Sequence, residues 1–219
     1  DNLEIGYDKM LATIRMELRR GQRIGIIGGN GIGKSTFLKT LVGLIPPLGG
    51  GYSFGYQVDV GYFDQQMAQY QSNKTVLDEF WDEYPTLDQT EVRSSLGAFM
   101  FTQEEVFKTV DMLSGGEKVR VLLSRMMIQA ANVLMFDEPT DHLDMESITA
   151  LNNGMTKFSG VILFSCRDHQ VVQTTANRII EFLPDGTFVD KMTTYDEYLE
   201  SDAMARKRTV YNVNLDEDM

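Results

Sequence analysis

The segment Gly28-Gly29-Asn30-Gly31-Ile32-Gly33-Lys34-Ser35-Thr36, GGNGIGKST, decides the fold class. It carries the pattern G-x-x-x-x-G-K-[ST], with Gly28, Gly33, Lys34 and Ser35 at the fixed positions. The apolar run RIGIIG, Arg23 to Gly28, has the texture of a buried strand, and GKSTFLKTLVGLI behind it has helical spacing. A strand, a glycine-rich turn and a helix in that order can cradle phosphate. The glycines let successive backbone N–H groups turn inward on anionic oxygens, and the amino end of the helix adds its positive dipole. Gly28, Asn30, Gly31, Gly33, Lys34, Ser35 and Thr36 are therefore candidate nucleotide-binding residues. Lys34 would reach the β/γ-phosphates, and the Ser35 hydroxyl would ligate Mg²⁺. Without the flanking strand and helix, the same glycines would be only a turn.

Working outward, the 219 residues and 42% hydrophobic content supply a proper core for one large domain or two small ones. Twenty basic against 32 acidic residues give a net charge of −12. That balance excludes a surface built uniformly to grip nucleic acid or an anionic membrane. A single cysteine excludes a disulfide framework within the chain and is compatible with a reducing cytoplasm. No apolar run approaches the ~18–20 residues that span a bilayer, so no membrane span is expected and a cytoplasmic location is. The chain opens at Asp1 and enters the strand-and-loop texture LEIGYDK at once, so an excised domain is expected, with the acidic VNLDEDM as a frayed tail.

Short apolar runs alternate with helical patterns, the signature of a mainly parallel sheet flanked by helices. QVDVGYFDQ (Gln57 to Gln65) reads as a strand entering a loop, NVLMFDE (Asn132 to Glu138) as a strand ending in acids, and VILFS as the strand after it. Between Gln65 and Leu113 the texture is helical. NKTVLDEFWDEY is one helix; DQTEVRSSLGAFMF and TQEEVFKTV begin with the capping-box pairs Asp88/Glu91 and Thr102/Glu105. SGGEKVRVLLSRMMIQ is a third capped helix. TTANRIIEFLPDGTFVD implies a helix leading into a hairpin around Asp185-Gly186, and TTYDEYLES a last short helix. The expected organisation is one domain, with a core of residues 1–65 and 114–200, a helical subdomain of about 66–113 and a tail of about 201–219.

A phosphate cradle needs a metal partner. Asp137, at the carboxyl end of a buried strand, can hold Mg²⁺, and Glu138, projecting differently, can polarise an attacking water. Adjacent acids after a strand are otherwise a solvated loop, and only the phosphate loop favours the chemical reading. LSGGEK (Leu113 to Lys118) follows the helical stretch, with Ser114 as a cap and Gly115 and Gly116 leaving the helix's amide end open to an anion. Taken alone, S-G-G-E would be a simple cap.

Phosphate loop, glutamine loop, LSGGE signature and FDEPT acids in this order resemble an ATP-binding-cassette (ABC) nucleotide-binding domain. The resemblance implies an α/β P-loop NTPase of the ABC type: a mainly parallel sheet core, an antiparallel β edge and a helical subdomain insertion. It implies that Ser114, Gly115, Gly116 and Glu117 contact the γ-phosphate of ATP held by a second ABC domain, so that one domain has two half-sites. It implies catalytic roles for Glu138 and Gln65, metal contacts from Ser35, Gln65 and Asp137, and ATP hydrolysis with Mg²⁺. Tyr7 matches the adenine-stacking aromatic by spacing, with an ordinary core or surface tyrosine as the alternative. His142, Leu143 and Asp144 resemble the loop that signals across the dimer.

EPTDHLD resembles the EPTNHLD of the ABC-F branch and GYFDQ its GYFAQ, while LSGGEKVR and TTYDEYLE also fit. That branch comprises soluble two-domain proteins that act on the ribosome and its tRNA. The short stretch between Gln65 and Ser114 leaves no room for the long arm of the branch's first domain, so the second, carboxyl-terminal domain is expected. An energising subunit of a membrane transporter and a non-hydrolysing ATP-dependent clamp are the alternatives. Within VILFSCRDHQ, aligning Asp168 with the family's aspartate puts Arg167 where its γ-phosphate histidine stands. A cysteine–histidine nucleophile lacks a third member, and one Cys with one His makes a poor metal set. Arginine can hold a phosphate but has no neutral form, so slow or abnormal hydrolysis is expected. Gly29, Asp64 and Asp141 depart from the branch's usual Glu, Ala and Asn.

Overall fold

The computed structural model describes residues 2–129 and 131–201. Within them, the alternating apolar runs become a six-stranded sheet with core clusters on both faces and a separate two-stranded hairpin. The hairpin pairs β1 (Leu3–Gly6) with β2 (Met10–Ile14). The sheet runs β4 (Val60–Phe63), β5 (Val133–Asp137), β6 (Val161–Ser165), β3 (Arg23–Ile27), β7 (Arg178–Phe182), β8 (Phe188–Lys191). All its pairings are parallel except the edge pair β7–β8, joined through the turn at Asp185-Gly186 where Gly186 has φ +81°. The parallel centre explains why VLMFD and VILFS are unbroken apolar runs: every residue of β5 and β6 is buried.

The two-residue period of a strand divides these runs between the faces. Val133, Met135, Val161 and Leu163 pack with Phe37, Leu38 and Leu41 of α1 (Lys34–Leu41). Leu134, Phe136, Ile162 and Phe164 pack on the opposite side with residues of α4 (Gly115–Ile128), α5 (Met145–Lys157) and α6 (His169–Thr175). Continuing the first series brings Asp137 and Ser165 to the α1 face, and these two residues are register partners across β5 and β6.

The helical stretch builds its own small core. After a 3₁₀ turn at Gln65–Gln69 come α2 (Val76–Glu83) and α3 (Gln89–Ala98), whose Val76, Leu77, Phe80, Val92 and Leu96 bury against Phe101, Val106, Val110 and Val121. The Asp88/Glu91 and Ser114/Glu117 pairs both close as reciprocal capping boxes. Thr102/Glu105 does not start an α-helix. Thr102 N–H donates to Glu105 Oε2 at 3.0 Å, but the segment makes only a 3₁₀ turn at Glu105–Phe107. Lys108 then turns extended so that Thr109 can bridge Thr75, with Val76 N–H on Lys108 O and Val110 N–H on Lys74 O. Strand-like pairing claims the backbone groups a helix would have used.

The last short helix is α7 (Tyr195–Glu200), which places Tyr198 in the core. Among the described residues no helix is long and apolar enough to cross a membrane. Apart from Ser201, the tail lies outside the described residues, including its basic run Ala205-Arg206-Lys207-Arg208.

Candidate functional site

The phosphate loop leaves β3 with glycines where the backbone requires them. Gly28, Gly31 and Gly33 have φ of +142°, +72° and +120°, the region that side chains disfavour. A Cβ on Gly28 would also stand 2.9 Å from Phe182 O. Lys34 folds back over the loop, its Nζ donating to Gly28 O at 2.6 Å. Burial lowers the Lys34 pKa; the charges of Glu138 and Asp137 oppose that shift and the charge of Arg167 adds to it. These four side chains therefore feel one another at the carboxyl ends of adjacent strands. Asn30, Gly31 and Ser35 are exposed along the loop, while Thr36 turns into the core.

Asp137 is 8% exposed, and its Oδ1 is buried without a hydrogen-bond partner. Burial pushes its pKa up; the neighbouring Ser35 hydroxyl and the charges of Lys39 and Lys34 act the other way. A carboxylate with one buried oxygen unpartnered and a serine hydroxyl beside it fits a hard divalent cation, which prefers oxygen donors and takes the rest from phosphate and water. Among the described residues no group of three or more acidic, His or Cys side chains gathers into a cage that could replace those outside ligands.

The glutamine turn sits against the same acids. Gln65 Nε2 donates to Glu138 O at 2.8 Å and to Asp141 O at 3.3 Å, which commits its side-chain nitrogen to the loop after β5. Asp64 caps the turn, Oδ1 accepting from Gln66 N and Met67 N while Oδ2 accepts from the Tyr62 hydroxyl at 2.9 Å. Burial and that carboxylate raise the Tyr62 pKa. Asp64 also adds negative charge near Asp137, which an alanine would not.

Glu138 has φ +50°, a left-handed conformation that a glutamate adopts only when its surroundings impose it. Its N–H donates to Ser165 O at 2.8 Å. Its Oε1 accepts from Ser165 Oγ at 3.0 Å and its Oε2 from Arg167 N at 3.1 Å. The Arg167 Nε lies 3.9 Å from Oε1 with most of the guanidinium in solvent. Beside this, Thr140 Oγ1 and Cys166 Sγ approach at 3.3 Å, joining the same two loops. Burial pushes the Cys166 thiol up to about 11, which removes it from nucleophilic chemistry at neutral pH. His169 opens α6 and faces elsewhere: its Nε2 pairs with Asp196 at 2.9 Å and its ring packs on Tyr195.

Ser114 Oγ accepts from Glu117 N, and Glu117 Oε1 accepts from Ser114 N, both at 3.2 Å. Gly115 is exposed, and a Cβ on Gly116 would stand 2.7 Å from His142 O. The signature therefore packs on the loop after the acids, where His142 has φ +67°. Among the described residues no hydrogen bond or ion pair joins Ser114–Glu117 to residues 28–36. Tyr7 stands just past β1 and is 59% exposed. Ser165 is the site-face residue that sequence reasoning passed over; the two-residue alternation of VILFS beside VLMFD was the signal that could have found it.

The family described as ABC transporter matches residues 11–141 of this chain. The uncharacterized ABC transporter ATP-binding protein YkpA of Bacillus subtilis is 42% identical over 204 residues, 92% of this chain and 38% of its own length. ABC transporter F family member 2 of Arabidopsis thaliana is 34% identical over 211 residues, 94% of this chain and 31% of its own length. The chain thus spans about a third of the length of the curated relatives it matches. Among solved structures, an RNase-L inhibitor aligns with a TM-score of 0.67 and 23% identity over 89% of this chain and 39% of that one, a likeness of fold.

Proposed function

The chain belongs to the ABC transporter family of ATPase domains, and from that premise we propose that it is the second ATP-hydrolysing domain of an ABC-F protein acting on ribosome-bound tRNA. The observation that carries the hydrolytic reading is the convergence of Lys34, Asp137 and Glu138 at the strand ends, with one Asp137 oxygen buried and unpartnered. Lys34 and the loop amides of Gly28, Asn30, Gly31, Gly33, Ser35 and Thr36 hold the phosphates. Ser35, Gln65 and Asp137 would hold Mg²⁺, which when bound neutralises charge on the phosphates. Glu138 orients the attacking water and accepts its proton, giving ADP and phosphate. Tyr7 supplies a flat surface for adenine.

Ser114, Gly115, Gly116 and Glu117 serve the nucleotide of a second domain, because a capped helix with an exposed glycine at its amino end presents free amides to an anion. The branch assignment rests on EPTDHLD, GYFDQ and the similarity to ABC transporter F family member 2. A cytoplasmic location is part of the same reading, and among the described residues no helix is long and apolar enough to cross a membrane.

One contact favours a second reading, a nucleotide-held clamp with slow turnover. Arg167 holds a Glu138 oxygen through its backbone N–H and brings a permanent charge to 3.9 Å from the other. A carboxylate held at both oxygens by its neighbours is less free to turn toward an attacking water. Both readings meet in one experiment: ATP turnover by the full-length protein, with and without ribosomes, beside Glu138→Gln and Arg167→His. Ribosome-stimulated turnover abolished in Glu138→Gln and raised in Arg167→His is the expected result. Turnover indifferent to ribosomes, with recovery in a complex with a membrane protein, would replace the ribosomal reading by the transporter one. Tight ATP binding without Glu138-dependent turnover would leave the clamp.

A further inference from the structure

The β5–β6 register sets Asp137 directly across from Ser165, on the face that α1 covers. Ser165 is 1% exposed and follows four buried apolar residues, so a hydroxyl there needs a partner inside the protein. Two other buried hydroxyls find one on the backbone of their own helix: Thr40 donates to Thr36 O and Ser124 to Arg120 O. Ser165 instead donates across to a side chain of the site, Glu138 Oε1, at 3.0 Å. Its carbonyl accepts the Glu138 N–H at 2.8 Å, so one residue holds both the backbone and the carboxylate of Glu138.

We propose that Ser165 is a positioning residue for Glu138, its buried hydroxyl aiming the carboxylate that the proposed function uses as the base. The inference rests on that reading of Glu138. A glutamate side chain has three rotatable bonds, and at φ +50° it starts from a strained backbone. Left to itself it would sample several rotamers. Ser165 Oγ on Oε1 and Arg167 N–H on Oε2 fix the carboxylate plane at two points. The Arg167 contact comes from the backbone and survives substitution there. The Ser165 contact is the one side-chain hydrogen bond to that carboxylate among the described residues, the Arg167 guanidinium standing off at 3.9 Å.

The test uses the full-length protein. Ser165→Ala is expected to lower kcat about 10-fold, the worth of one hydrogen bond to a charged group. KM for ATP and the ATP dissociation constant should stay within about twofold, because no contact to the phosphate loop is removed. Ser165→Thr, which keeps the hydroxyl and suits a strand, should return kcat to near the parent value. A fall in ATP affinity in place of kcat would overturn the proposal, as would Ser165→Thr behaving like Ser165→Ala at an equal melting temperature. Glu138→Gln separates the two layers. Turnover that dies in Glu138→Gln but is unchanged in Ser165→Ala removes the role of Ser165 alone, whereas turnover insensitive to Glu138→Gln removes the base and its positioning residue together.

Discussion

Asp137 must be ionised to hold a cation in a place that resists ionisation. Its Oδ1 is buried without a partner, and burial raises its pKa above the ordinary 3.8. A carboxyl raised in the folded state favours folding while protonated, and that contribution is lost as pH rises through the raised value. At neutral pH the bare carboxylate therefore works against the fold. Asp137→Asn should raise the melting temperature of the metal-free chain by at least about 2 °C near pH 7, since a neutral amide is cheaper to bury than a charge. The gain should shrink as pH falls toward 3.8. The same substitution should abolish Mg²⁺-dependent ATP turnover. A calorimetric scan showing a lower melting temperature would mean that the carboxylate is already satisfied. Asp137 and Glu138 were legible as sequence because acids at the end of an apolar run stand out. Ser165 was legible only in part: the alternation along VILFS marks its face, but its tie to Glu138 depends on which strand lies beside it and in what register.

At the scale of elements, α4 joins the two cores. Its Val121 belongs to the helical stretch, while Val119, Leu122, Leu123 and Met126 belong to the main sheet's cluster. Ser114 anchors the end of that helix through a box in which each residue satisfies the other's backbone N–H. Ser114→Ala should cost about 0.5–2 kcal/mol, and for a chain of this size each kcal/mol lowers the melting temperature by about 2–4 °C. Ser114→Asp, which can still cap, should recover most of that loss; equal melting of the alanine variant and the parent would show that α4 is held by packing alone. Boxes of this kind are readable because donor and acceptor lie three residues apart. The failure at Thr102/Glu105 marks the limit of local reading: the letters are right, but Thr109 is claimed by Thr75, and a bridge between such distant residues leaves no mark in the local pattern.

At the scale of the whole molecule, fold and chemistry converge while charge points elsewhere. The order phosphate loop, glutamine turn, signature and acids places the residues in sequence, and the parallel sheet gathers the loop, the turn and the acids at one end of its strands. Neither fact supplies an attraction to RNA. With a net charge of −12 the chain repels a polyanion at long range, and at about 0.15 M salt only groups within roughly 8 Å of a phosphate escape screening. If the protein works on the ribosome, the gripping cations belong mainly to the remaining two-thirds of the length its relatives have. The chain alone should therefore pass through a heparin column at about 0.1 M salt, while the full-length protein is retained and releases as salt rises. Retention of the chain alone would locate the RNA contact within these 219 residues, with Ala205-Arg206-Lys207-Arg208 as the first place to substitute. Passage of both would remove the electrostatic basis for ribosome binding and leave closure around ATP as the function to explain.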